Sequence, residues 1–288
     1  MERSKQALPA QKSILYGNSE EKMMSKGHIN EYWESQGQVY GDSHWASWGD
    51  NWMIDLEIET IAKYINNGDR VLDIGCANGY STFRQAESHQ LASITGVDFA
   101  VNMLAAANKT KKDNGLGDEI SFGEGDVRSL DFPDNTFDIA YTTRVLINLP
   151  TWEQQMRGLA ECIRVVKPGG TILLSEGFWE PLMLLNALRS LKNLPMLVEH
   201  DFNRYLKLSV LEAHLKKLGL CYQIEDFSSI YYLGSRFLRE LVTDPTAYPG
   251  FSNPINKLFF EIEKQFSGGG MGIQQAIIIK KWPSECVI

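Results

Sequence analysis

The chain is poor in cysteine: four in 288 residues, Cys76, Cys162, Cys221 and Cys286, far apart and with no Cys-x-x-Cys pair. That spacing suggests neither a zinc site nor a disulfide framework, and it fits a reducing cytoplasm. Basic charge is also scarce. Lys and Arg number 28 against 36 Asp and Glu, for a net charge of −8 and a pI near 5.2. Nucleic-acid binding rests on phosphate contacts with a basic face, so no nucleic-acid partner is expected. The one dense basic run, Lys109-Thr-Lys-Lys112, falls at the end of an expected helix, where cations favour the dipole. No run approaches the roughly 18 apolar residues of a membrane span. The opening Met1-Glu-Arg-Ser-Lys-Gln-Ala has no apolar signal core, so neither membrane insertion nor export is expected.

What is present points to one domain with appendages. At 288 residues and 43% apolar content, such a chain can bury about three quarters of its unfolded surface. Val71-Leu-Asp-Ile-Gly-Cys-Ala-Asn-Gly-Tyr80 reads as a buried strand, a tight glycine-bracketed turn and a helix start. Gly75 and Gly79 let a ligand approach the main chain, and the helix start offers unpaired N–H groups. Ser93-Ile-Thr-Gly-Val-Asp98 is a second apolar strand, ending in a carboxylate 19 residues beyond Gly79. A carboxylate there can accept both hydroxyls of a ribose, or it can cap the helix that begins near Ala100. A third strand, roughly Glu119 to Glu124, ends in Gly125-Asp126-Val127, and a fourth, Thr136 to Tyr141, leads into Thr142-Thr143-Arg144. A helix carrying Leu159, Cys162, Ile163 and Val166 then reaches Lys167-Pro-Gly-Gly170. Glycines there end the helix and reverse the chain into a fifth strand, Thr171 to Ser175.

In order and spacing these pieces resemble the class I S-adenosylmethionine (SAM)-dependent methyltransferases. Their first motif, D/E-x-G-x-G-x-G, is matched by Asp73, Gly75 and Gly79, with Ala77 where the middle glycine would be. The resemblance covers about residues 55 to 227 plus the final strand, Gln275 to Lys281. It implies an α/β fold: a Rossmann-like, seven-stranded, mostly parallel sheet flanked by helices, with the last strand antiparallel. It also implies SAM as cofactor and S-adenosyl-L-homocysteine as product. The cofactor would be held by Asp73, Gly75, Cys76, Ala77, Gly79, Asp98, Phe99, Met103, Asp126, Val127 and Thr143. Asp98 would meet the ribose, and Asp126 and Val127 the adenine. A dinucleotide-binding Rossmann domain uses a similar strand, turn and acid, but its G-x-G-x-x-G would demand glycines where Ala77 and Tyr80 stand.

Residues 1–52 read as an N-terminal arm and helical lid, and 53–288 as the methyltransferase domain, with helical cap insertions at about 176–218 and 228–272. Tyr32, Trp33, Tyr40, Trp45, Trp48 and Trp52 crowd the lid, and aromatic faces suit a sulfonium cation. The same residues could instead form a pad that anchors the N-terminal helices on the core.

Methyl transfer from a sulfonium needs little beyond alignment and exclusion of water. A protonated oxygen or nitrogen nucleophile calls for one general base, for which His44 and His200 are the candidates. Arg144 and Arg236 could bind an anionic group on the acceptor, or pair with some of the 36 carboxylates. Trp45, Trp48 and Tyr231 complete the substrate set, and no metal is expected. The expected activity is methyl transfer to an O or N nucleophile of a small organic molecule, anionic ones included. The alternatives are a regulatory SAM-binding protein without methyl transfer, and a SAM-consuming enzyme of another reaction type. The oligomeric state is left open.

Overall fold

A computed structural model describes residues 26–41, 43, 48–244 and 250–281. His44 and Trp45 lie outside the described residues. Seven strands, β1 (Arg70–Ile74), β2 (Ser93–Asp98), β3 (Ile120–Glu124), β4 (Phe137–Thr143), β5 (Val166–Gly177), β6 (Cys221–Glu225) and β7 (Gln274–Lys280), form one sheet. Their order is β3-β2-β1-β4-β5-β7-β6. Pairs among β1 to β5 are parallel, and β7 runs antiparallel to both β5 and β6. This is the expected sheet.

A central parallel strand is covered on both faces, which is why Val71, Leu72 and Ile74 of β1 are apolar and buried. Its alternate residues serve different cores. Leu72 and Ile74 pack with Leu159, Cys162 and Val165 of α5 (Trp152–Val165) and with Leu211 and Leu215 of α7 (Leu208–Lys217). Val71 faces Met53, Leu56 and Ile61 of α2 (Asn51–Ala62) on the opposite side. The remaining flanking helices are α3 (Tyr80–Ser88), α4 (Val101–Asp113) and α6 (Trp179–Ser190). A further helix, α1 (Lys26–Tyr40), lies against α4.

Two expectations shift. The Lys167-Pro-Gly-Gly170 segment is not a turn between helix and strand: β5 already begins at Val166, and these residues form an irregularity between the pairs Phe137↔Val166 and Ile139↔Thr171. Cys76 and Cys162 are buried free thiols, but Cys221 is disulfide-bonded. The wide spacing of the cysteines concealed that bond.

The first insertion holds α6, α7 and an irregular link whose end runs beside β5, where Leu206 N–H donates to Gly177 O at 3.0 Å. The second holds α8 (Ser229–Leu233), a π-helical turn (Gly234–Leu238), α9 (Arg239–Val242) and α10 (Asn256–Glu263). Among the described residues no helix is long and apolar enough to cross a membrane.

Candidate functional site

The C-terminal ends of β1 to β4 open into one cavity of about 1230 Å³, at the edge where open α/β sheets gather their ligands. The chain leaves β1 at Gly75, with φ +75°. Gly75 N–H and Cys76 N–H both donate to Val97 O, at 2.7 and 3.0 Å, which folds the turn across the end of β2. A Cβ on Gly75 would stand 2.3 Å from Val145 Cγ2. This glycine therefore serves the turn and its contact with the loop after β4, and not only a ligand's approach. Gly79, with φ +78°, sits behind the turn, where a Cβ would meet Phe122 at 2.8 Å.

Ala77 occupies the middle glycine's place with φ +47°, a left-handed conformation costing a residue with a Cβ about 1–2 kcal/mol. Asp98 holds it there: Oδ2 accepts the Ala77 N–H at 2.8 Å, and Oδ1 accepts the Ala100 N–H at 2.8 Å. Asp98 thus braces the turn and holds the chain just ahead of the following helix. It also lines the cavity, with lone pairs to spare for hydroxyl donors. Burial pushes its carboxyl above the ordinary range, against the pull of the Ala100, Ala77 and Phe99 amides. Asp73 lies buried behind the turn. It accepts the Thr82 hydroxyl at 2.6 Å and leaves Oδ1 without a hydrogen bond. Burial pushes this carboxyl up to about 7, although the Thr82 and Tyr141 hydroxyls pull it down.

Of the residues expected at a cofactor, Gly75, Cys76, Ala77, Asp98, Phe99, Met103, Asp126, Val127 and Thr143 line the cavity, and Asp73 and Gly79 do not. Asp126 is gripped by Arg128, from Nε at 2.8 Å and Nη2 at 2.5 Å. The stretch from Asp126 past Asp98 to Gly75 offers a carboxylate for hydroxyls between the apolar walls of Phe99, Met103 and Val127. That donor set fits a nucleoside with a short polar tail.

Three contacts tie the N-terminal segment to this end, and none was foreseen from the sequence. Asn78, buried, donates from Nδ2 to Gly41 O and Ser43 O at 2.9 and 2.8 Å. Glu34 of α1 accepts the Val101 and Asn102 N–H groups at 2.8 and 2.9 Å, a cap that Ala100 cannot supply to α4. Gly37 lets α1 approach closely, since a Cβ would stand 2.9 Å from Met103 N. Trp33, on the same helix, lines the cavity.

On the far side of β4 the cavity meets Arg144 and Glu57. Arg144, with φ +58°, donates from Nη1 to Glu57 Oε2 at 3.0 Å, and its guanidinium lies 4.8 Å from the Trp48 ring centroid. Glu57 is 2% exposed, and its Oε1 accepts the Ser175 hydroxyl at 2.6 Å and the Gln274 amide. Burial raises the Glu57 carboxyl, and the Arg144 charge opposes it.

Other expected acceptor groups are elsewhere. Arg236 donates to Asp50 Oδ2 at 2.5 Å and Tyr231 to Asp50 Oδ1 at 2.5 Å. Asp50 is fully buried and accepts Met53 N–H at the start of α2, at 3.4 Å. These three residues fasten the cap to α2 and do not line the cavity. His200 packs on Phe202 with ring centroids 4.1 Å apart and near Tyr32 at 5.8 Å. Burial holds its pKa below the ordinary value, so it is a neutral ring in an aromatic cluster, not a wall of the cavity. Among the described residues no histidine lines the cavity, and no group of three His, Cys, Asp or Glu side chains could hold a metal.

Residues 71–170 match the family model described as "Methyltransferase domain". An uncharacterized methyltransferase of Schizosaccharomyces pombe is 35% identical over 119 residues, covering 40% of this chain and 42% of that protein. The first curated relatives are thus spanned over 39–43% of their own length. Among solved structures, the geranyl diphosphate C-methyltransferase of Streptomyces coelicolor superposes with TM-score 0.54 at 16% identity, over 79% of this chain and 76% of that one. The [4+2]-cyclase SpnF does so with TM-score 0.53 at 19% identity, over 88% and 92%. Likeness at these identities concerns the fold. Sheet order, turn and family match together define a methyltransferase domain. Residues 71–170 carry that methyltransferase domain, and the sheet order is the one expected of the class I SAM-dependent methyltransferase fold.

Proposed function

We propose that this protein transfers a methyl group from SAM to an oxygen or nitrogen nucleophile of a small organic molecule. The observation that carries the reading is the braced turn: Asp98 fixes Ala77 in a left-handed conformation and lines the cavity beside it. When bound, the cofactor supplies a methyl group already activated on a sulfonium sulfur. Asp98 holds the ribose hydroxyls with its remaining lone pairs. Phe99, Met103 and Val127 flank the adenine. α1, fastened through Glu34 and Asn102 and carrying Trp33 into the cavity, keeps water from the reacting atoms. Glu57 takes the nucleophile's proton in place of His200, since it lines the cavity beyond β4 and burial raises its carboxyl.

At about 1230 Å³ the cavity exceeds the roughly 300–1,000 Å³ of a single drug-sized ligand site, which leaves room for an acceptor beside the cofactor. A cytoplasmic setting goes with this reading. It draws on the two buried free thiols, with the Cys221 disulfide against it.

The test has two parts. Calorimetry should find one S-adenosylhomocysteine site per chain, and incubation of SAM with an acceptor library should yield methylated product by mass spectrometry. Binding without any methylated product would leave a regulatory SAM-binding protein or an enzyme that uses SAM otherwise.

A further inference from the structure

We propose that Arg204 reads an anionic group, carboxylate or phosphate, on the acceptor. The inference rests on the methyl-transfer reading for the word acceptor, and on geometry for the rest. Among the described residues three arginines line the cavity: Arg128, Arg144 and Arg204. Two are neutralised, Arg128 by Asp126 and Arg144 by Glu57. Arg204 commits only Nη1, to the Asp201 and Asn203 carbonyls at 3.0 and 2.6 Å. Among the described residues no carboxylate lies within ion-pair distance of it; the nearby Glu199 carboxylate, which feels its charge, accepts the Tyr205 N–H.

Its backbone is fixed. Arg204 N–H donates to Ile147 O at 2.6 Å, and Gln155 Nε2 donates to Arg204 O at 2.8 Å. The guanidinium is therefore offered from an anchored main chain with Nε and Nη2 uncommitted, the two donors that meet a carboxylate or phosphate side by side.

Strand order says which molecule it faces. The cofactor groups follow one another along the sheet edge: Asp126 after β3, Asp98 on β2, Gly75 after β1. Next come β4 and then β5, and the segment carrying Arg204 runs beside the end of β5 through Leu206 and Gly177. At about 4.8 Å per strand, β5 lies two strands, roughly 10 Å, beyond the turn of β1. Arg204 thus stands past the reacting centre, on the acceptor side.

The test uses the full chain, alone and with saturating S-adenosylhomocysteine, and three probes of one shape: 3-phenylpropanoate, phenethyl phosphate and 3-phenylpropanamide. Wild type should bind at least one anionic probe about tenfold to a hundredfold more tightly than the neutral amide, as expected for a charge-assisted pair. The favoured anion tells carboxylate from phosphate. Arg204→Met keeps the main-chain bonds and should erase the preference, with S-adenosylhomocysteine affinity within about threefold of wild type. Arg204→Lys should restore part of it and shows that the site folds. A preference that survives in Arg204→Met, or the lack of one in wild type, overturns the proposal. So does a tenfold loss of S-adenosylhomocysteine affinity in Arg204→Met, which would assign the residue to the cofactor's own carboxylate. If S-adenosylhomocysteine binds no form at all, methyl transfer falls instead, and the probes on the protein alone still decide the role of Arg204.

Discussion

Asp98 on β2 accepts the N–H of Ala77 at 2.8 Å from a position 21 residues further along the chain, so one carboxylate both shapes the turn after β1 and offers lone pairs to a ligand. Asp98→Ala should weaken S-adenosylhomocysteine binding by about one to three orders of magnitude, two charge-assisted hydrogen bonds of roughly 1.5–3 kcal/mol each being softened by water. It should also lower the thermal midpoint, because the Ala77 and Ala100 amides lose their acceptor. Calorimetry and thermal unfolding measure the two effects separately. An unchanged dissociation constant would leave Asp98 with structural duties only.

Ala77→Gly should stabilise the protein by about 1 kcal/mol, since glycine adopts φ near +50° without a Cβ penalty. Ligand affinity should stay within about threefold. A fall in the thermal midpoint would mean that the methyl group at 77 contributes packing, against Trp33 and Met103, worth more than the strain.

Gly75→Val should cost folding and binding together. The first carbon added would stand 2.3 Å from Val145 Cγ2, and φ of +75° suits no β-branched residue. Gly75→Ala should destabilise by about 1–3 kcal/mol. Adding Val145→Ala should return the steric part of that loss. A Gly75→Ala protein as stable as wild type would show that the loop after β4 moves aside freely.

Stability should decline from pH 5.5 to pH 8. Asp73 and Glu263 each have one oxygen without a hydrogen bond, and burial pushes both carboxyls up to about 7. The folded chain therefore binds these protons more tightly than the unfolded chain, where carboxyls titrate near pH 4. The contribution is fully present below about pH 4 and is lost as pH rises through about 7. Glu161, held low by Arg164, works the other way only as pH falls below the ordinary carboxylate range, and half-buried His200, also held low, opposes the two carboxyls below about pH 6.5. Thermal midpoints across this range check the sign, and Asp73→Asn should flatten the slope.

The strand runs and the glycine turn were legible because they are local: a buried strand needs consecutive apolar residues, and a left-handed turn selects its residues within a few positions. The same locality made Asp98 readable at 19 residues from Gly79. Partners distant in sequence were not legible. Arg236 meets Asp50 across 186 positions and Arg144 meets Glu57 across 87, so two arginines set aside for an anionic acceptor are already neutralised. His200 looked like a base because a sequence does not reveal that Phe202 and Tyr32 surround it. Glu34 and Asn78 act through backbone groups of other elements, which leave no mark in residue type.

The contact between Glu34 and α4 leads to the last prediction, that α1 is a lid. A helix that belongs to the core would be held by a broad apolar face, but α1 is held by a few side-chain contacts: Glu34 on two α4 amides at 2.8 and 2.9 Å, Asn78 on the Gly41 and Ser43 carbonyls, and Tyr32 and Trp33 against Phe202. The Glu34 clasp contributes about 1–3 kcal/mol, little enough to open on the timescale of turnover. Hydrogen exchange of residues 26–41 should therefore slow when S-adenosylhomocysteine is added, with a change in tryptophan fluorescence from Trp33. Glu34→Ala should speed exchange in that segment alone and lower turnover, with β1 to β5 as protected as before. If α1 is instead a fixed pad, its protection will be high with or without ligand, and Glu34→Ala will lower global stability without a local effect. That outcome would assign Trp33 to the core and leave the exclusion of water to other parts of the chain.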